Sequence, residues 1–305
     1  MAMRKVRVLI NPKSGLPRGF SSLRQALDMH WDVAGTELTY QFTQSKEDGV
    51  AKAQRAVTDG VNIILVSGGD GTVSTISRVL VDTDVALGVI PTGSGNGFAR
   101  HFGIPLAPSR AAEALVHAEE RRIDVGLVNG LPFFVTCSMA WDAAFVRTFE
   151  KFPMRGILPY VFAGVQEFFD YERQDMDVTF DDGETLHLKS PMIMTVANLT
   201  QFGGGALIAP HAEDDDGKLE FIGALQKDFA LLLANLGRLF NGSVSQIPRL
   251  VTRSSSRMTI ERPKAAAIQV DGEMVEAPQR LDIVVKPFAL RVLVPRKYGK
   301  NDDRG

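Results

Sequence analysis

The chain has 305 residues, 45% of them hydrophobic, which is more than one core usually holds, so two domains are expected. A formal net charge of −2 lacks the basic footprint of a general nucleic-acid binder, and one cysteine, Cys137, excludes an internal disulfide and suits a reducing cytoplasm. The opening apolar run Val6–Ile10 is too short for a targeting segment, and no run approaches the roughly 18 residues of a membrane span.

The first part alternates strand and helix patterns. Residues 6–10 (VRVLI) predict a buried strand, followed by a glycine-rich loop and an amphipathic helix near Ser21–His30. In 37–43 (ELTYQFT) the alternation of Leu38, Tyr40 and Phe42 predicts a strand. Ser45 with Asp48 three residues on is an approximate capping box, and Gly60 ends the helix it opens. An apolar strand at 61–66, a helix at 73–80 and a strand at 85–90 follow, and a second glycine-rich loop comes after 90. This rhythm implies a mostly parallel sheet with helices on both faces.

After about Ile123 the pattern changes to short strand-like runs: FFVTCSM, DMDVTF, TLHLKS, MIMTVAN, KLEFIGA, MTIER, AIQV, LDIVV and LRVLVP. Turn residues separate them, as in an antiparallel sandwich or barrel. Two helical segments interrupt, near Leu158–Tyr171 and Asp228–Phe240. Each has apolar residues at helical spacing, which suits core packing or a lipid-facing surface.

Three loops fall at the carboxyl ends of predicted parallel strands, where such sheets bind ligands. They are NPKSG after strand one, SGGDGT after strand three and PTGSGNG after strand four. Glycine lets backbone approach an anion, and a following helix offers unpaired N–H groups. Any one of these loops could be a plain turn; three on one sheet edge describe a phosphate cradle. The lysine-bearing GxxxxGK[ST] loop is absent, and GSGNGF only imitates the GxGxxG dinucleotide signature. Asp70 beside polyphosphate would repel it unless a cation such as Mg²⁺ intervened or the carboxylate oriented a neighbour. At 269–275 (QVDGEMV), Asp271-Gly272 predicts a tight hairpin turn, with Glu273 starting the returning strand.

VSGGDGT, flanked by NPKSG and PTGSGNGFAR, resembles the diacylglycerol kinase/sphingosine kinase family of lipid kinases. IDVGLVNGLPFF (123–134), GGGALIAPHAEDDDGKLEF (203–221) and VDGE (270–273) continue the match in order over nearly the whole chain. The resemblance implies an N-terminal three-layer α/β domain, similar to those of NAD kinases and phosphofructokinases, and a C-terminal antiparallel β-sandwich. The domains would be 1–125, with 289–305 returning to it, and 126–288. The activity implied is transfer of a phosphoryl group from Mg-ATP to a hydroxyl of a membrane lipid of diacylglycerol, sphingoid or ceramide type.

Carried over residue by residue, Asn11 and Ser14 would touch the nucleotide from the first loop, and Thr43 after strand two. Gly68, Gly69, Gly71 and Thr72 would wrap the phosphates, with Asp70 arranging Mg-ATP, and Ser94, Gly95 and Asn96 would complete the cradle. Asp124 and Asp271 would support the polar network. Asp216, with main-chain oxygens near Glu213 and Lys218, resembles a structural Mg²⁺ site, and a solvated acidic turn is the alternative reading. Glu273 matches the proposed proton acceptor. Departures include Ser94 for threonine and Gly97 for aspartate, so that GSGN is closer to the sphingosine and ceramide kinase branch. Implied partners are the lipid and a transient peripheral membrane surface, with room for a homodimer and none for nucleic acid. Two rivals remain: an NAD kinase, which shares the GGDG loop, and a catalytically silent lipid- or nucleotide-binding regulator.

Overall fold

The computed structural model describes residues 3–15, 20–140 and 174–296, and the helical segment expected at Leu158–Tyr171 lies outside them. The chain divides into two compact units, Met1–Ile123 with Phe288–Gly305, and Asp124–Pro287.

The first unit follows the sequence pattern closely. Its elements are β1 (Arg4–Ile10), α1 (Phe20–Trp31), β2 (Thr36–Phe42), α2 (Lys46–Thr58), β3 (Ile63–Gly68), α3 (Asp70–Leu80) and β4 (Ala86–Pro91). The strands pair in parallel in the order β2-β1-β3-β4. Every residue of β3 and β4 is buried, as central strands covered on both faces must be. From β1 the chain steps outward to β2 and then back past β1 to β3. Right-handed crossovers in those two directions set α1 and α2 on opposite faces. Accordingly α1 packs with α5 (Pro108–Val116), while α2 packs with α3. The Ser45 hydroxyl accepts from the Asp48 amide at 3.2 Å, and Gly60 ends the turn at φ +68. α5 was not anticipated in the sequence. Proline at its start and the buried stripe Ala111, Ala112 and Leu115 account for it. The short α4 (Gly97–His101) precedes it.

The second unit is an antiparallel sandwich. One sheet runs β14 (Val251–Ser255), β13 (Leu219–Leu225), β10 (Pro191–Ala197), β7 (Thr136–Ser138), β16 (Ala266–Val270), β17 (Glu273–Ala277). The other layer contains β8 (Met176–Phe180), β9 (Thr185–Leu188), β15 (Arg257–Glu261) and the first part of β18 (Arg280–Val294); β5 (Glu119–Val128) pairs with β18 and with β6 (Leu131–Phe133), and β11 (Gln201–Gly203) and β12 (Ala206–Leu207) form a separate ribbon. Cys137, Met194, Val196, Phe221, Ile268 and Val270 from the first sheet share a core with Val178, Phe180, Met258, Ile260, Leu281 and Ile283 from the second.

Two expectations need correction. LDIVV and LRVLVP, read as separate strands, are one 15-residue strand, β18. Phe288 takes a left-handed φ of 51 just after Pro287, yet the strand runs on through it, and Val292 pairs with Leu87 of β4. The single amphipathic helix expected over 229–240 is instead a six-residue helix, α6 (Phe229–Ala234), followed by a 3-10 turn at Leu236–Leu239. Asn235 folds its side chain back onto the Leu231 carbonyl at 2.8 Å and Gly237 follows, and both are poor helix formers. Strand β14 was likewise not anticipated. Among the described residues no helix is long and apolar enough to cross a membrane.

Candidate functional site

The three glycine-rich loops meet at the carboxyl ends of β1, β3 and β4. In the first, the Asn11 amide bonds the Ser67 carbonyl at 2.9 Å, which ties the end of β1 to β3. Asn11 Oδ1 accepts from the Lys13 amide at 3.0 Å, and Nδ2 donates to Thr72 Oγ1 of the second loop at 2.8 Å. Ser14 closes the turn by donating its amide to the Asn11 carbonyl at 3.2 Å. Gly15 has φ +85, and a β-carbon on it would lie 2.7 Å from the Thr92 carbonyl oxygen of the third loop. Thr43 is buried beside them, its amide and hydroxyl both directed to the Ile10 carbonyl at 2.8 and 3.3 Å.

The second and third loops touch through bare backbone. A β-carbon on Gly93 would stand 2.5 Å from the α-carbon of Gly69, and one on Gly68 would stand 2.6 Å from the Thr72 β-carbon. Gly69 is the N-cap of α3 and supplies no side-chain bond, so Gly71 and Thr72 sit in an uncapped first turn. Such a turn presents amides and the positive end of the helix dipole to whatever lies in front of it.

The third loop is braced from behind. Asn96 adopts φ 52, accepts from the Gly93 amide at 3.1 Å and donates to the Gly93 carbonyl at 2.8 Å. Arg100 Nε holds the Gly95 carbonyl at 3.1 Å, leaving Ser94 exposed at the tip. Asp70 faces this loop, its carboxylate accepting the Phe98 amide at 3.3 Å and interacting with those of Gly97 and Asn96. Burial raises the Asp70 carboxyl above its ordinary range, outweighing the three amides and the Arg100 charge that pull the other way. Asp70 therefore orients the third loop through its main-chain amides.

In the second unit the hairpin has the expected geometry, with Asp271 at φ 49 and Gly272 at φ 90. Glu273 opens β17 opposite Val270 and is half-buried. Asp271 does more than turn the chain. Its buried carboxylate accepts the amides of Phe134 (3.0 Å), Val135 (2.7 Å) and Thr136 (3.3 Å). Asp124 is fully buried, and its Oδ2 accepts the Gly217 amide at 2.7 Å while its own amide bonds the Asp214 carbonyl at 2.7 Å. Asn198 joins this network through Nδ2, at 3.0 Å from the Asp124 carbonyl and 3.1 Å from that of Phe134. Neither Asn198 nor Arg100 was singled out in the sequence, since a lone amide or guanidinium carries no spacing signal.

Asp216, read as a structural Mg²⁺ ligand, accepts the Lys218 amide at 2.9 Å, and Glu213 is exposed. Among the described residues no three His, Cys, Asp or Glu side chains gather as they would around an ion. The turn carries Glu213, Asp214, Asp215 and Asp216 with main-chain oxygens beside them, the hard donors such a cation takes, although the carboxylates do not gather in a group of three. The loop cradle, by contrast, fits a nucleotide triphosphate: side chains are missing where they would obstruct, and amides are left where an anion would need them.

The diacylglycerol kinase catalytic domain family matches residues 5–128, and the YegS C-terminal NAD kinase beta sandwich-like domain family matches residues 136–294. The chain belongs to the diacylglycerol kinase/YegS family of lipid kinases. Among its family relatives is a diacylglycerol kinase of Mycobacterium tuberculosis, 28% identical over 299 residues and covering 96% of each chain. The lipid kinase YegS of Escherichia coli is 27% identical over 284 residues, covering 90% of this chain and 91% of its own. Within the family fold, the crystal structure of a diacylglycerol kinase from Bacillus anthracis superposes with a TM-score of 0.76 at 20% identity, covering 97% of this chain and 98% of that one.

Proposed function

We propose that this lipid kinase transfers the γ-phosphoryl group of Mg-ATP to a hydroxyl of a membrane lipid of diacylglycerol, sphingoid or ceramide type. The observation that carries the reading is the backbone-to-backbone meeting of the loops at Gly15–Thr92 and Gly69–Gly93, in front of the uncapped start of α3. Asn11, Ser14 and Thr43 would hold the nucleotide from the β1 side. Gly68, Gly69, Gly71 and Thr72 would surround the phosphates, and Ser94, Gly95 and Asn96 would close the third side. The divalent ion that accompanies the nucleotide would offset phosphate charge, which a loose phosphoryl-transfer transition state needs more than a strong base.

Asp70 keeps the third loop in register with the α3 amides. Glu273 accepts the proton of the lipid hydroxyl as the new P–O bond forms, Asp271 holds the hairpin that carries it, and Asp124 fixes the Asp214–Gly217 turn. An ion at Asp216 would be structural. The enzyme would work in the cytoplasm with transient peripheral contact at the membrane surface, where its acceptor resides.

The test incubates the full chain with labelled Mg-ATP and vesicles containing diacylglycerol, monoacylglycerol, a sphingoid base or ceramide. A labelled lipid phosphate lost on chelation supports the reading. NADP formation without lipid labelling, or ATP binding with no labelled product, overturns it.

A further inference from the structure

In the second unit the run 134–136 is gripped from two sides. Its amides all end on one carboxylate: Asp271 accepts those of Phe134, Val135 and Thr136 at 3.0, 2.7 and 3.3 Å, and the Asp271 amide returns to the Thr136 carbonyl at 2.9 Å. The carbonyls of Phe134 and Val135 end on Asn198, which donates Nδ2 to the first at 3.1 Å and its own amide to the second at 2.9 Å. Nδ2 also donates to the Asp124 carbonyl at 3.0 Å. The strand register accounts for the arrangement. Ala197, the last residue of β10, pairs with Thr136, the first of β7, so Asn198 and Val135 stand where the regular ladder stops. Side-chain bonds take over there from main-chain ones.

Asn198 is 1% exposed, and its Oδ1 is buried with no hydrogen-bond partner. An unmade buried acceptor is costly, and an apolar side chain of similar size would avoid that cost. What the amide supplies in return is a pair of N–H donors on one nitrogen. Both go to main-chain carbonyls, that of Asp124 in β5 and that of Phe134 between β6 and β7. The path onward to the hairpin is short. Phe134 lies between Asn198 and Asp271, and Asp271 stands two residues before Glu273, whose strand starts opposite Val270. A proton acceptor must come within about 3 Å of the hydroxyl it serves, and a misplacement of about 1 Å costs roughly a hundredfold in rate.

We propose that Asn198 is a positioning residue for phosphoryl transfer, holding residues 134–136 so that Asp271 sets the hairpin where Glu273 is needed. Asn198 touches neither ATP nor lipid; it acts through Phe134 and Asp271. This role rests on the lipid-kinase reading above, with Glu273 as proton acceptor, and adds the residue that seats the acceptor.

The experiment is a double-mutant cycle on the full chain, with labelled Mg-ATP and vesicles of diacylglycerol, monoacylglycerol, a sphingoid base or ceramide, read on the lipid that wild type labels fastest. Asn198→Ala and Asn198→Ser, the latter keeping one shorter donor, are each made in wild type and in Glu273→Gln. In wild type Asn198→Ala should lower kcat roughly tenfold to hundredfold and leave the KM for ATP within about twofold, and Asn198→Ser should lose less. In the Glu273→Gln background neither should lower the residual rate by more than about twofold, because no proton acceptor is left to misplace. Thermal melts confirm that the variants compared are folded.

An equal loss in both backgrounds marks a purely structural role and overturns the proposal. So does an unchanged kcat, a loss confined to the KM for ATP, or a failure of both Asn198 variants to fold. Each of these leaves the kinase reading intact. Full turnover in Glu273→Gln overturns the proposal together with the acceptor role of Glu273. Wild type that labels no lipid overturns the kinase reading as well.

Discussion

Asn11 Nδ2 donates to Thr72 Oγ1 at 2.8 Å, linking the loop after the first strand to the first turn of the third helix. The bond fixes two loops that are distant in the chain but adjacent at the sheet edge, because β1 and β3 are neighbours in the parallel order. Removing it should loosen the cradle without unfolding it. Asn11→Ala is expected to cost about 1 kcal/mol of stability and to raise the KM for ATP more than it lowers kcat. Steady-state kinetics with paired thermal melts would check this, and a change confined to kcat would contradict it.

The Gly69–Gly93 contact gives a graded steric test. A methyl at Gly93 would meet the Gly69 α-carbon at 2.5 Å, whereas one at Gly69 would meet Gly93 at 3.2 Å. Backbone cannot swing aside as a side chain can. Gly93→Ala should therefore weaken ATP binding by roughly tenfold or more and destabilise by about 1–3 kcal/mol. Gly69→Ala should do markedly less. Equal effects measured by nucleotide titration would show that the loops do not press together there.

Asp70 separates activity from stability. Its carboxyl is raised above the ordinary value of 3.8 because burial penalises the charge. A raised acid favours the folded state fully only below its unfolded value, and that benefit is lost as pH climbs through the raised value. Asp70→Asn cannot ionise. Relative to wild type its Tm should rise as pH climbs above the ordinary carboxylate range and level off once the raised value is passed, while its lipid phosphorylation falls. A Tm difference that does not vary with pH would refute the assignment.

Asp271 should be the most sensitive position in the hairpin. Its carboxylate serves three main-chain amides, at Phe134, Val135 and Thr136. Asp271→Ala leaves them buried without an acceptor and should cost roughly 3–5 kcal/mol. Asp271→Asn tolerates the left-handed φ of 49 and keeps one acceptor, so it should cost about half as much. Denaturant titration of both variants would decide.

Glu273 carries the chemical test. Glu273→Gln keeps the shape and the hairpin, so nucleotide affinity should persist while turnover falls roughly 10²–10⁴-fold. Unchanged turnover would remove Glu273 from the proton-acceptor role proposed for it.

Much of this molecule is legible along the chain. The parallel half announces itself through apolar runs of strand length, and Ser45 and Gly60 mark a helix at both ends. The loops NPKSG, SGGDGT and PTGSGNG carry their chemistry in their composition, since only small residues let backbone meet backbone. The sandwich half is harder to read. Strand β14 alternates weakly, and β18 runs on through Pro287, a residue that in sequence reads as a strand break. Asn235 and Gly237 broke a helix that apolar spacing alone had extended.

The sequence by itself determined where glycine, aspartate and apolar residues stand, and therefore the fold class, the loop chemistry and the Asp271-Gly272 turn. Those are local properties, set by φ preferences, burial periodicity and helix ends. Only the tertiary structure decided that Gly15 meets Thr92, that Asp70 braces the amides beyond Asn96, and that Asn198 and Asp271 hold Phe134 from either side. These relationships depend on which strands become neighbours, and hydrogen-bonding partners brought together across the chain leave no periodic trace in it.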